Sequence, residues 1–102
     1  MHEKLRDIES RYLELEARSQ TPEVVSDHVE YTKAVRAMKE IAPVVEKWRE
    51  MCRVEKDLAG AKELVETLPS GDELRAMAQE ELDGLRARRS AVEEDLRLLL
   101  LP

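Results

Sequence analysis

From Tyr31 to Leu68 an apolar residue returns every three or four positions: Tyr31, Val35, Met38, Ile41, Val44 and Val45, Trp48, Met51, Val54, Leu58, Ala61, Val65 and Leu68. That spacing draws one apolar stripe along a single α-helix. Roughly 40 residues at about 1.5 Å each make a rod of about 60 Å. In a small chain such a rod acts as a spine for the other elements. Pro43 falls inside the stripe. Proline removes one i→i−4 hydrogen bond and crowds the preceding turn, so a kink or a break must follow. No capping residue or polar loop surrounds Pro43 and the stripe runs through it, so a kink is expected. Gly60 costs about 1 kcal/mol against Ala without interrupting the pattern.

Shorter stripes flank the spine. Met1, Leu5, Ile8, Tyr12 and Leu15 define a first helix, with Asp7–Arg11 and Glu14–Arg18 at ion-pair spacing. Ser19-Gln20-Thr21-Pro22 ends it. Thr21 is placed to cap a short turn with Pro22 in its first position, and Val24 and Val25 to plug the end of a bundle. The spine should begin near Ser26 or Asp27. Leu68-Pro69-Ser70-Gly71-Asp72 is the clearest turn; Ser70 with Glu73 has capping-box spacing, and Asp72 competes as the cap. Leu74, Ala78, Leu82, Leu85, Val92, Leu96 and Leu99 mark a third helix. Arg88 and Arg89 fall where an apolar residue was due, so the core is interrupted there or an Arg stem covers it. The expected fold is all-α: an antiparallel three-helix bundle passing into a coiled-coil hairpin, with a long, Pro43-kinked central helix. Toward Pro69 two helices cannot fully bury each other. That end is expected to be frayed or to be covered by another subunit or domain.

Composition excludes the main rivals. Aromatics make up 3% of the 102 residues and Phe is absent, too little for a sandwich or barrel. Charged residues reach 39%, with 17 Lys and Arg against 23 Asp and Glu, a net charge of −6. Residues 1–19, 20–69 and 70–102 are each mildly acidic, so no basic half or tail offers a phosphate-binding face. The longest apolar run, residues 98–101, is far below the roughly 20 residues of a membrane span. The start, Met1-His2-Glu3-Lys4, leads straight into an amphipathic pattern with no signal-peptide core. Cys52 is the single cysteine, which excludes an internal disulfide and fits a reducing cytoplasm.

The chain offers little to catalysis. His2, expected on a mobile end, and His28, expected as a solvated first-turn residue, lack metal-ligand spacing. Cys52 borders the stripe with no His or Asn/Asp constellation and is expected to be a buried, inert thiol. Glu80-Glu81 with Asp83, and Glu93-Glu94-Asp95, point about 100° apart in sequence, as on a solvated face. Arg86, Arg88 and Arg89 form the one dense basic patch, and Asp83 and Glu93 lie at pairing distance from it. Gly60, Gly71 and Gly84 are too scattered for a phosphate loop. Trp48 in the stripe is expected in the core rather than as a base-stacking platform. No catalytic, metal or cofactor site is expected.

Four stretches in order carry a resemblance. They are Leu5-Arg6-Asp7-Ile8-Glu9-Ser10-Arg11-Tyr12-Leu13-Glu14-Leu15-Glu16, Pro22-Glu23-Val24-Val25-Ser26-Asp27, Met77-Ala78-Gln79-Glu80-Glu81-Leu82 and Leu96-Arg97-Leu98-Leu99-Leu100-Leu101-Pro102. Together they resemble the N-terminal region of bacterial class I peptide-chain release factors, and the final Leu98-Leu99-Leu100-Leu101-Pro102 resembles the type reading UAA and UAG more than the sister type reading UAA and UGA. The resemblance implies that residues 1–102 are one helical N-terminal domain of a longer factor. Such a domain docks at the factor-binding region of the large ribosomal subunit, near the stalk-base protein, and helps orient the other domains. In that family a Gly-Gly-Gln loop carries peptide release and a Pro-x-Thr-type tripeptide reads the codon. Neither occurs here, so no catalytic residue carries over, and no enzyme activity, cofactor or strong nucleic-acid binding is expected of this chain. His28-Val29-Glu30-Tyr31 and Ala34-Val35-Arg36-Ala37 depart from the family pattern, leaving partner contacts in the early second helix unassigned. The apolar run before Pro102 fits a chain leading into a further domain.

Two other readings fit a helical chain. A helical RNA-binding arm needs a basic outward face, whereas charge is mixed on every helix here. A self-associating coiled-coil scaffold needs sustained heptads, which Pro22, Pro43, Pro69 and Arg88-Arg89 break. Homodimerisation through an apolar face exposed by truncation is compatible with the release-factor reading.

Overall fold

The computed structural model describes residues 1–102 as four helices: α1 (His2–Ser19), α2 (Pro22–Val25), α3 (His28–Thr67) and α4 (Glu73–Leu99). There are no strands. The chain divides into two compact units, Met1–Trp48 and Arg49–Pro102. The 40-residue α3 belongs to both.

In the first unit α1 runs antiparallel to the opening half of α3. At one end the His2 and Trp48 rings form a T-shaped pair with centroids 5.2 Å apart and planes at 90°. At the other, Arg18 pairs with Glu30 at 3.1 Å instead of with Glu14 in its own helix. His2 is therefore the first residue of α1 and a ring contact, not part of a mobile end. Leu5, Leu15, Val24, Ala34, Val44, Val45 and Trp48 form the core. Val24 plugs the corner as expected, but Val25 stays 59% exposed. Tyr31 opens the spine's stripe yet lies outward, and Ala34 takes the buried place beside it. Asp27 starts α3, its carboxylate accepting from the Val29 and Glu30 amides at 3.1 and 3.2 Å. Thr21 precedes α2 without a side-chain cap, because its hydroxyl donates backward to the Arg18 carbonyl at 2.9 Å.

The helix α3 continues through Pro43. Pro43 cannot donate to the Lys39 carbonyl. Both residues are solvent-exposed, so water can serve the freed oxygen. The next two residues, Val44 and Val45, are buried, which places the proline on the outer side of a packed turn.

The second unit is a helical hairpin. The Asp72 amide donates to the Pro69 carbonyl at 3.1 Å, and Gly71 between them holds φ at +87°. A positive φ at the third position of a turn is nearly closed to other residues, so glycine is required there. Asp72 caps α4, accepting from the Leu74 amide at 2.8 Å. Thus Asp72, not the Ser70 box, starts the helix. The reason is the turn itself, which places Ser70 outside the first helical residue. Asp72→Ala is expected to cost about 1 kcal/mol in urea unfolding, and Ser70→Ala no more than about 0.5. The helices on either side of the turn are regular to Thr67 and from Glu73.

One contact across the turn follows from proline chemistry. The Val65 carbonyl would normally accept from the amide four residues on, but that residue is Pro69, which has none. Arg75 Nε supplies the missing donor at 2.9 Å. Met51, Val54, Ala61, Ala78, Leu82, Val92 and Leu96 form the buried seam. Arg88 pairs with Glu50, and Arg89 lies against Glu55 at 3.2 Å and Glu93 at 3.4 Å. Arg89 is half-buried, its stem covering the gap in the apolar stripe.

Candidate functional site

The structure brings none of the chemistry-bearing residues into a reactive group. His28 is exposed at the start of α3, as expected of a first-turn residue. Trp48 is core, 3% exposed. Cys52 lies on the exposed side of α3, which corrects its expected burial. The helix turns about 100° per residue, and Met51 already occupies the inward position. No three His, Cys, Asp or Glu side chains converge as metal ligands. No buried side-chain nitrogen or oxygen lacks a partner. The basic patch is spent internally: besides Arg88 and Arg89, Arg86 faces Asp83 at 3.9 Å. No helix is long and apolar enough to cross a membrane.

What the second unit does present is an apolar cleft beside the hairpin turn. Leu64 and Leu68 of the α3 side face Leu74, Met77 and Ala78 of α4, with Glu80 and Glu81 at the rim. The cleft encloses about 570 Å³. Leu64 is 48% exposed, and Leu74 and Met77 are each 60% exposed. Its origin is the width of the two stripes. Ala61 and Ala78, with Leu82, fill the seam, whereas the doubled apolar pairs Leu64-Val65 and Met77-Ala78 spread each stripe beyond what one facing helix can cover.

Electrostatics set this end apart. Residues 61–83 carry seven carboxylates (Glu63, Glu66, Asp72, Glu73, Glu80, Glu81 and Asp83) against Lys62 and Arg75, a net −5 within a chain of −6. Lys62 lies 4.0 Å from Glu66, and Arg75 is committed to the Val65 carbonyl. The spacing of the apolar stripe does not mark Leu64 or Met77. The doubled apolar pairs are the signal that does. Glu50 and Glu55 of the facing helix are partners of Arg88 and Arg89 that spacing along α4 alone does not mark.

These features define an all-helical chain whose second unit is an α-hairpin with an open apolar cleft and no assembled catalytic group. The chain belongs to the PCRF domain family, whose description matches residues 8–102. It is similar over all 102 residues to peptide chain release factor 1 of Acidobacterium capsulatum at 40% identity, of Caldicellulosiruptor saccharolyticus at 37% and of Oleidesulfovibrio alaskensis at 36%. In each case the whole of this chain is covered but only 28% of the relative. No solved structure gives a significant match.

Proposed function

We propose that this chain is the N-terminal ribosome-docking domain of a translation termination factor of the release factor 1 type, working in the cytoplasm. It contacts the factor-binding region of the large subunit near the stalk-base protein and orients the domains that read the codon and release the peptide. Residues 1–102 constitute one such domain, and it carries out no catalysis itself. The observation that supports docking is the exposed apolar cleft of Leu64, Leu74 and Met77 on a chain related throughout to release factor 1. The acidic surroundings of that cleft and the internal pairing of Arg86, Arg88 and Arg89 favour a protein contact over an RNA contact.

Co-sedimentation tests the reading. The 102-residue chain should pellet with large ribosomal subunits and not with small ones. It should compete with a full-length release factor 1, and it should release no peptide from a stalled termination complex. Equal pelleting with both subunits, or peptide release above background, overturns the proposal.

A further inference from the structure

We propose that the cleft at the α3–α4 turn takes a basic amphipathic helix from a protein partner. The inference rests on the docking reading only in treating this cleft as the docking surface. Its apolar part is a floor of Leu68 and Ala78 flanked by Leu64, Leu74 and Met77. A furrow between two antiparallel helices is the shape into which a third helix packs, at an interaxial distance of about 8–10 Å. The occupant would place anchors at i, i+3 or i+4, and i+7 along that furrow. Met77 is unbranched and more than half exposed, so it can adapt to anchors of different shape.

Charge decides among occupants. Glu80 and Glu81 line the cleft, and Glu63, Glu66 and Glu73 lie on the same two helical segments. The two cations of the segment are already engaged, Lys62 beside Glu66 and Arg75 on the Val65 carbonyl. A second copy of this chain would press one carboxylate rim against another. A phosphate backbone would meet the same repulsion. A helix with Leu-like anchors bordered by Lys or Arg satisfies both the apolar floor and the rim, and steering by the negative field speeds its approach.

The test uses the 102-residue chain and two labelled peptides of about 18 residues, or five turns. One carries a Leu stripe flanked by Lys, the other the same stripe flanked by Glu. Fluorescence anisotropy should show the Lys peptide binding, more weakly as salt rises, and the Glu peptide at least about tenfold weaker. The double variant Leu74→Gln, Met77→Gln alters exposed positions and keeps good helix formers, so circular dichroism should be unchanged while Lys-peptide affinity falls by at least about tenfold. Glu80→Lys with Glu81→Lys takes the segment from net −5 to −1 and should narrow the preference between the peptides to within about threefold. The proposal is overturned by equal binding of both peptides or by cleft variants that bind within about twofold of the original. It is also overturned by an RNA hairpin displacing the Lys peptide, or by sedimentation showing a dimer that Leu74→Gln, Met77→Gln dissolves. Ribosome pelleting without cleft-dependent peptide binding refutes this inference and leaves the docking reading standing. Cleft-dependent peptide binding without ribosome pelleting does the reverse.

Discussion

Leu96→Ala is expected to destabilise the chain by about 3–4 kcal/mol and to lower its melting temperature by roughly 15–25 °C. Leu96 has no solvent exposure, and it lies on the inward face of α4 with Val92, itself 1% exposed. Truncation removes the transfer free energy of the lost carbons and leaves a void that a long hairpin cannot easily close, since each helix is held straight by its own hydrogen bonds. In a domain of this size total stability is only about 5–15 kcal/mol, so the loss is a large fraction of it. Leu98 supplies the control. It sits two residues on in the same helix, is 58% exposed, and its change to Ala should shift stability by no more than about 0.5 kcal/mol. Equal effects of the two substitutions in urea unfolding would mean that the buried face of α4 is not where the structure puts it.

The comparison of Leu96 with Leu98 and Leu99 shows what periodicity can and cannot reveal. Apolar residues at steps of three and four locate the spine, its partners and the turns between them, because a helix must keep one face dry wherever it packs. Periodicity does not say how wide that face is. Leu74 and Leu99 continue the α4 stripe in phase, yet they are 60% and 41% exposed. Met77 lies one residue off the stripe and joins the open cleft. Which flank stays uncovered depends on how many helices surround the hairpin, and that is a tertiary property.

Local chemistry was legible to a similar depth. Asp27, Asp72 and Gly71 occupy the places that capping and turn stereochemistry require. The competing Ser70 lost because the Pro69–Asp72 turn fixed the start of α4 two residues later than a box would need. Pro69 alone shows that the Val65 carbonyl lacks its usual amide donor, but not that Arg75 is the side chain that reaches it. The exposure of Cys52 follows once Met51 is known to point inward. An apolar neighbour is a poor guide to burial on a helix, where adjacent residues face about 100° apart.

Pro43→Ala is expected to raise stability by about 2 kcal/mol and the melting temperature by about 10 °C. Alanine restores an amide that can donate to the Lys39 carbonyl and removes the ring that crowds the preceding turn, a difference of about 3 kcal/mol in a helix interior. Part of that gain is offset, because proline restricts the unfolded chain and its loss returns about 0.4–1 kcal/mol of conformational entropy to that state. The position is exposed, so no core side chain has to move to accept the smaller residue. The sign of the result discriminates between two roles for the proline. A stabilised variant means that Pro43 is borne at a cost on the outer face of an otherwise regular helix. An unchanged or lowered melting temperature means that the bend proline imposes is built into the packing of Val44, Val45 and Trp48, which follow it immediately on the buried side. In that case straightening α3 would displace their side chains from the Leu5 and Leu15 side of the first unit. The loss would appear as increased exposure of Trp48, read from its fluorescence before unfolding begins.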